Sequence, residues 1–146
     1  MNLAEEWQWR FLCFKSEREG NPVQKWFDGL PDEAQEEIRD LLGYLRVKTK
    51  SKWEEPEFDP LKGEGGISEL RPSPILREES GKVRKYTCRI YGFFGPKEYE
   101  HSYTFLHGND KNVRNDIDGK RIAKEHLGQI EHRQATVHEF QEWPDS

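Results

Sequence analysis

Four residues in this chain have the right types to handle a phosphate: Arg71 in ISELR, Arg89 in KYTCRIYGFF, and His107 and Lys111 in SYTFLHGNDKN. A guanidinium is permanently charged and donates two parallel hydrogen bonds to one oxyanion pair, whereas imidazole titrates near neutral pH and can move a proton. Together with a lysine they suit phosphoryl transfer. An alternative stays open from spacing alone: arginines on a solvent-facing strand are common, and Glu69 can pair with Arg71 as an exposed ion pair of little energetic weight.

The elements that must position these residues read as strands. ISELR (67 to 71), VRKYTCRIYGFF (83 to 94) and YEHSYTFLH (99 to 107) are apolar and aromatic runs separated by turns at ESGK and FGPKE, the pattern of an antiparallel meander. Alternation puts Tyr86, Cys88 and Ile90 on a core face, and Lys85, Thr87, Arg89 and Tyr91 on the other. Glu69 and Arg71 share a face with Ile67, and His101, Tyr103, Phe105 and His107 share one. Neighbouring strands then bring Arg71, Arg89, Tyr91 and His107 to one surface.

Around this sheet the spacing predicts a first strand over 7 to 16, with Trp7, Trp9, Phe11 and Cys13 on one buried face. A short helix follows, with Asn21 as cap, Pro22 in its first turn and Gly29 at its end. A second helix starts at Pro31, with Ala34, Ile38, Leu41, Leu42 and Leu45 on one stripe and acidic residues in its first turns. The 48 to 66 connection is polar and irregular, partly ordered by Trp53 and Phe58. A last helix from about Asn115 carries Ile117, Ile122, Ala123, Leu127 and Ile130, and the tail from about 131 has no assigned element. Trp143 in that tail is expected to dock back onto the domain.

At 146 residues the chain fits one α+β domain. Five Trp, eight Phe and five Tyr supply a core despite a charged fraction of 35%. The formal net charge of −5 speaks against a general nucleic-acid binder, but residues 66 to 124 carry 12 Lys and Arg against 8 Asp and Glu, a local net of +4. Local potential, not total charge, decides whether a phosphate docks. Cys13 and Cys88 read as two reduced, buried thiols, and neither a signal peptide nor a membrane helix is visible, so a cytoplasmic protein without membrane contact is expected. His126, His132 and His138 are six residues apart; on a helix each step turns about 600°, so they do not converge on one metal ion and are expected in solvent. GEGG at 63 to 66 lacks the lysine of a phosphate loop, and no cofactor is expected.

In order and motif, GNPVQKWFDGLP, GISELRP, KYTCRIYGFF and SYTFLHGNDKN together resemble the RelE/HigB/ParE-like toxins of bacterial type II toxin–antitoxin systems. The resemblance spans about Trp9 to Leu127. It implies two N-terminal helices packed on a twisted, mainly antiparallel sheet, with a C-terminal helix. It implies a metal-independent endoribonuclease that cuts mRNA on the ribosome, inhibits translation and is neutralised by a cognate antitoxin. Arg71 and Arg89 would hold the scissile phosphate, Lys111 would add charge, and His107 would be a general acid or base. Arg84, Lys85 and Arg114 would contact RNA, and Tyr91 would stack on a base. ParE-like members inhibit gyrase without cutting RNA, so a non-catalytic interaction protein or a degenerate member is the alternative. The 48 to 66 connection and the tail exceed the family's compact pattern; cover for the site, a homodimer contact and part of an antitoxin contact are all open roles for them.

Overall fold

A computed structural model describes residues 8–54, 57–72, 75–77, 79–85, 87–111 and 113–143, and for 75–77 and 83–85 the backbone only. Trp7 and Tyr86 therefore lie outside the described residues. The chain is α+β, and the described residues form three α-helices and a six-stranded mixed sheet. In chain order the elements are β1 (Arg10–Lys15), α1 (Pro22–Asp28), α2 (Asp32–Arg46), a 3-10 turn (Lys50–Lys52), β2 (Phe58–Pro60), β3 (Ser68–Leu70), β4 (Ile75–Arg77), β5 (Val83–Lys85), β6 (Arg89–Phe94), β7 (Ser102–Asn109), α3 (Ile117–Glu131) and β8 (Thr136–Glu139). The sheet order is β2-β3-β6-β7-β1-β8, and β4 with β5 forms a separate two-stranded hairpin. The strand expected over 83 to 94 is thus two: β5 belongs to the hairpin, and β6 begins at Arg89.

Each helix follows its local signals. Asn21 accepts from the Gln24 N–H at 3.4 Å, Pro22 needs no donor at the helix start, and Gly29 ends α1. Along α2 the buried residues are Ala34, Ile38, Leu42 and Leu45, a single stripe. Beyond its C-terminus two indoles fasten the departing chain: Trp9 donates to Lys48 O at 2.7 Å, and Trp53 to Leu45 O at 3.2 Å, a carbonyl that also accepts from the Lys48 N–H at 3.0 Å. In α3 the expected stripe is corrected at Ile117, which is 68% exposed because it follows the Asp116 cap on the outer side of the first turn.

Strand alternation divides the core into two clusters. One joins Val23 and Phe27 of α1 and Ala34, Ile38, Leu42 and Leu45 of α2 to Phe11, Cys13, Trp53, Phe58, Leu70, Ile90, Tyr103 and Phe105. The other joins Ala123 and Leu127 of α3 to Ile67, Tyr91 and Leu106. β1 feels both, since Phe11 and Cys13 lie in the first while Phe14 stacks on His126 of α3 at 3.8 Å between ring centres. The expectation of a single buried face on that strand is corrected: four successive residues, Phe11 to Phe14, are buried. Its position explains this, because β1 is internal, parallel to β7 on one side and antiparallel to β8 on the other.

The tail supplies that last strand. After Arg133, which adopts a left-handed φ of 58°, β8 pairs with β1 and Phe140 enters the core between Phe27 and Phe105. Gln141 and Gln24 then exchange two hydrogen bonds, Arg46 pairs with Glu142 at 2.6 Å, and Trp143 stacks over the Arg39 guanidinium at 4.1 Å. Among the described residues no helix is long and apolar enough to cross a membrane.

Trp53 ties the irregular 48 to 66 connection into the core, with ring centres 5.4 Å from Trp9, 5.5 Å from Phe58, 5.0 Å from Phe94 and 5.2 Å from Tyr103. Trp53→Ala is expected to lower stability by about 3–5 kcal/mol, and Trp53→Phe by clearly less, measured by urea unfolding.

Candidate functional site

The site residues come from the paired ends of β3, β6 and β7. Register sets Glu69 opposite Tyr91, Tyr91 opposite His107, and Arg89 opposite Asn109. Between Tyr91 and Gly92 the register slips, because β7 spends three residues, Phe105 to His107, where β6 spends two. Leu106 is the extra residue of this bulge. Without it His107 would share a face with Phe105 and Tyr103, as simple alternation predicts; with it, His107 lies on the Tyr91 side, rings parallel within 11° and centres 6.3 Å apart. Gly92 permits the slip, since a Cβ there would sit 2.5 Å from the Tyr103 ring and 2.6 Å from Thr104 O.

Two arginines converge on one carboxylate. Glu69 is 2% exposed, and its Oε1 accepts from Arg71 Nε at 3.0 Å while Arg89 Nε stands 3.8 Å away. Arg71 also reaches Asp59 through Nη2 at 2.8 Å. Arg89 donates to the Val113 carbonyl, so the segment after β7 folds back over β6. The pairing of Glu69 with Arg71 is therefore real, but the carboxylate is buried rather than exposed. Its cost of desolvation is offset only while the guanidinium groups stay in place.

Beneath this pair lies a second buried carboxylate. Asp116, the cap of α3, accepts from Asn109 Nδ2 at 2.6 Å, from the Tyr91 hydroxyl at 3.0 Å and from the Gly119 N–H at 3.1 Å. Burial alone would raise its carboxyl; those three donors and the Arg89 charge outweigh it and hold the group below its ordinary value. No side chain fits at position 119, where a Cβ would lie 2.0 Å from Asp116 Oδ2. Asn109 Nδ2 also stands 3.4 Å from His107 Nε2. Burial, helped by the charges of His126 and Lys111 against the opposing pull of Asp116, lowers His107 to about 4, so its ring is neutral at physiological pH.

The remaining expected residues are dispersed. Lys111 is exposed just beyond β7, its N–H bonded to Asn109 Oδ1 at 3.1 Å, and Arg114 is exposed before α3. Arg84 and Lys85 belong to β5, with their side chains outside the described residues. Tyr91 corrects the expectation of a stacking platform: it is fully buried under α3, burial pushes its hydroxyl up, and its ring has no face open to a base. His126 is also corrected, being 3% exposed with Nδ1 at 2.6 Å from Leu106 O and Nε2 at 3.1 Å from Glu19 Oε2, whereas His132 and His138 are exposed. Asp59, Asn109 and Asp116 were not singled out from sequence; only Asp116 carried a local signal, as a capping residue ahead of an apolar stripe.

Among the described residues no group of three or more His, Cys, Asp or Glu side chains is placed to hold a metal ion. Both cysteines are free and buried, and burial pushes the Cys88 thiol up to about 12, which makes it a poor nucleophile. The arrangement holds one oxyanion, the Glu69 carboxylate, between two guanidinium groups, with a neutral imidazole on the far side of Tyr91. No family model, no curated protein and no solved structure matches the chain.

A histidine whose folded value is depressed binds a proton more readily once unfolded, so stability is lost as pH falls from about 6.5 to about 4. The loss is expected to reach about 3 kcal/mol at most, and His107→Gln should remove that part of the slope. Urea unfolding at several pH values checks this; parallel curves for the two proteins would contradict it.

Proposed function

We propose that the chain is a RelE/HigB/ParE-like toxin whose Arg71, Arg89, His107 and Lys111 end binds RNA phosphate and cuts mRNA on the ribosome, with a cognate antitoxin as its neutralising partner. One observation carries this reading: the guanidinium groups of Arg71, just past β3, and of Arg89, at the start of neighbouring β6, flank a single oxyanion, the Glu69 carboxylate, while His107 of β7, kept neutral, lies on the Tyr91 side of the same sheet. The α+β class is the one the family resemblance implies, with α1 and α2 between β1 and β2, and α3 between β7 and β8.

In the reaction, the RNA 2′-hydroxyl oxygen forms a bond to the adjacent phosphorus and the 5′-oxygen leaves. An unprotonated imidazole is the form that accepts the hydroxyl proton, which gives His107 the part of general base. Arg71 and Arg89 stabilise the charge that develops on the phosphoryl oxygens, and Lys111 adds to the positive potential. The leaving oxygen takes its proton from solvent.

A second reading has its own observation. Glu69 and Asp59 neutralise Arg71 and Arg89 locally, and buried Tyr91 offers no stacking surface. Both suit a toxin-fold protein that acts by contact, as ParE-like inhibitors of gyrase do.

Induced expression in a bacterium is expected to arrest growth, and purified protein added to translating ribosomes to cut the mRNA. His107→Ala and Arg89→Ala should lower cleavage by about 10²–10⁴-fold, the range for loss of a general base or a charge-stabilising donor. Growth arrest with intact mRNA would select the second reading, and no arrest from an accumulating protein would remove both.

A further inference from the structure

We propose that Glu69 is an internal occupant of the phosphate site: its carboxylate holds Arg71 and Arg89 where a phosphodiester would hold them, and an RNA backbone must displace it. The proposal rests on reading this surface as a phosphate-binding face, and adds how access to it is limited.

Residues 66 to 124 carry a net charge of +4, yet the two arginines of the site do not share in it. Arg71 is paired with Glu69 and Asp59, at 3.0 Å and 2.8 Å, and Arg89 has Glu69 at 3.8 Å and the Val113 carbonyl as further acceptor. Among the described residues, these two cations thus face two carboxylates. A phosphate approaching the two guanidinium groups competes with carboxylates already paired to them.

The pairings are unequal in their access to solvent. Arg71 is 44% exposed on its side chain, Arg89 14% and Glu69 2%. Solvent reaches the Arg71 guanidinium from outside while the carboxylate holds it from inside. When a phosphate draws the guanidinium outward, a buried carboxylate is left with fewer partners, which is costly. Binding is therefore weakened by the anion the fold already contains. Replacing that anion by a neutral group of the same shape removes the competition and leaves the arginines in place.

The test measures binding of inorganic phosphate and of a single-stranded RNA oligonucleotide to the full chain and to Glu69→Gln. The variant is expected to bind both at least tenfold more tightly, with RNA affinity falling more steeply with salt, and Arg71→Ala added to it should abolish the gain. Asp59→Asn, which frees Arg71 only, should give a smaller rise. Equal affinities in the full chain and Glu69→Gln would overturn the proposal, and a gain with phosphate alone would overturn RNA as the source of the anion. If Glu69→Gln does not fold, the Nε–H signals of the unaltered protein decide: Arg71 and Arg89 shifting together on phosphate addition supports the proposal, and neither shifting overturns it. Tighter RNA binding by Glu69→Gln, with mRNA left intact on translating ribosomes, would leave the internal occupant standing and remove the ribonuclease reading. Cleavage by the unaltered protein with no change in affinity on Glu69→Gln would do the reverse.

Discussion

The Asp116 carboxylate is the tie on which the candidate site depends. It fastens three elements at one point, β6 through Tyr91, β7 through Asn109 and α3 through the Gly119 N–H. A buried carboxylate with three donors keeps its charge, and a charge held there makes every donor's position matter, because removing one partner leaves the others around an undersolvated ion. The site inherits its shape from this. Asn109 stands between Asp116 and His107, and Lys111 leaves the strand with its N–H on the Asn109 side-chain oxygen.

The same tie explains why the sheet face near Tyr91 is closed. α3 begins at the Asp116 cap and lays Ala123 and Leu127 over Tyr91, Leu106 and Ile67. What stays accessible is the rim: Arg71 past the end of β3, Lys111 past the end of β7, and Arg114 before α3. At this rim the Arg71 guanidinium is open to solvent, while that of Arg89 beside it is largely covered. His107 lies half-buried behind that rim, its Nε2 3.4 Å from Asn109 Nδ2.

The sequence was most legible where one local rule acts alone. The cap and proline of α1, the stripe of α2 and the pairing of Glu69 with Arg71 follow from spacing and charge, and the α+β class follows from the alternation of periods. Where a rule needs a partner in space, it could not be read. Nothing in SYTFLHGN marks Leu106 as a bulge, since that depends on β6 presenting Gly92 to Tyr103; strict alternation therefore groups His107 with Tyr103 and Phe105, and it is the bulge that puts it on the Tyr91 side expected for it. Tyr91 and His126 looked solvent-facing because their burial is created by each other's elements, α3 on the sheet and β1 against α3. The tail's strand was hidden for the same reason: ATVHEF is a weak alternation until β1 supplies a free edge.

The acidic balance of the chain then has a spatial answer. Five of its carboxylates, Asp32, Glu33, Glu36, Glu37 and Asp40, lie exposed on α2, which packs through the cluster that contains Phe11, Ile90 and Phe105. Glu69, Tyr91 and His107 belong to the other side of the sheet, with α3. Packed layers stand about 10 Å apart. The Debye length at physiological salt is about 8 Å, so charges exposed on the α2 layer act weakly across the sheet. Carboxylates in direct contact with the arginines are not screened in this way. Whether a phosphate docks is thus decided by Glu69 and Asp59, two groups within 4 Å of a guanidinium, far more than by a formal net charge of −5.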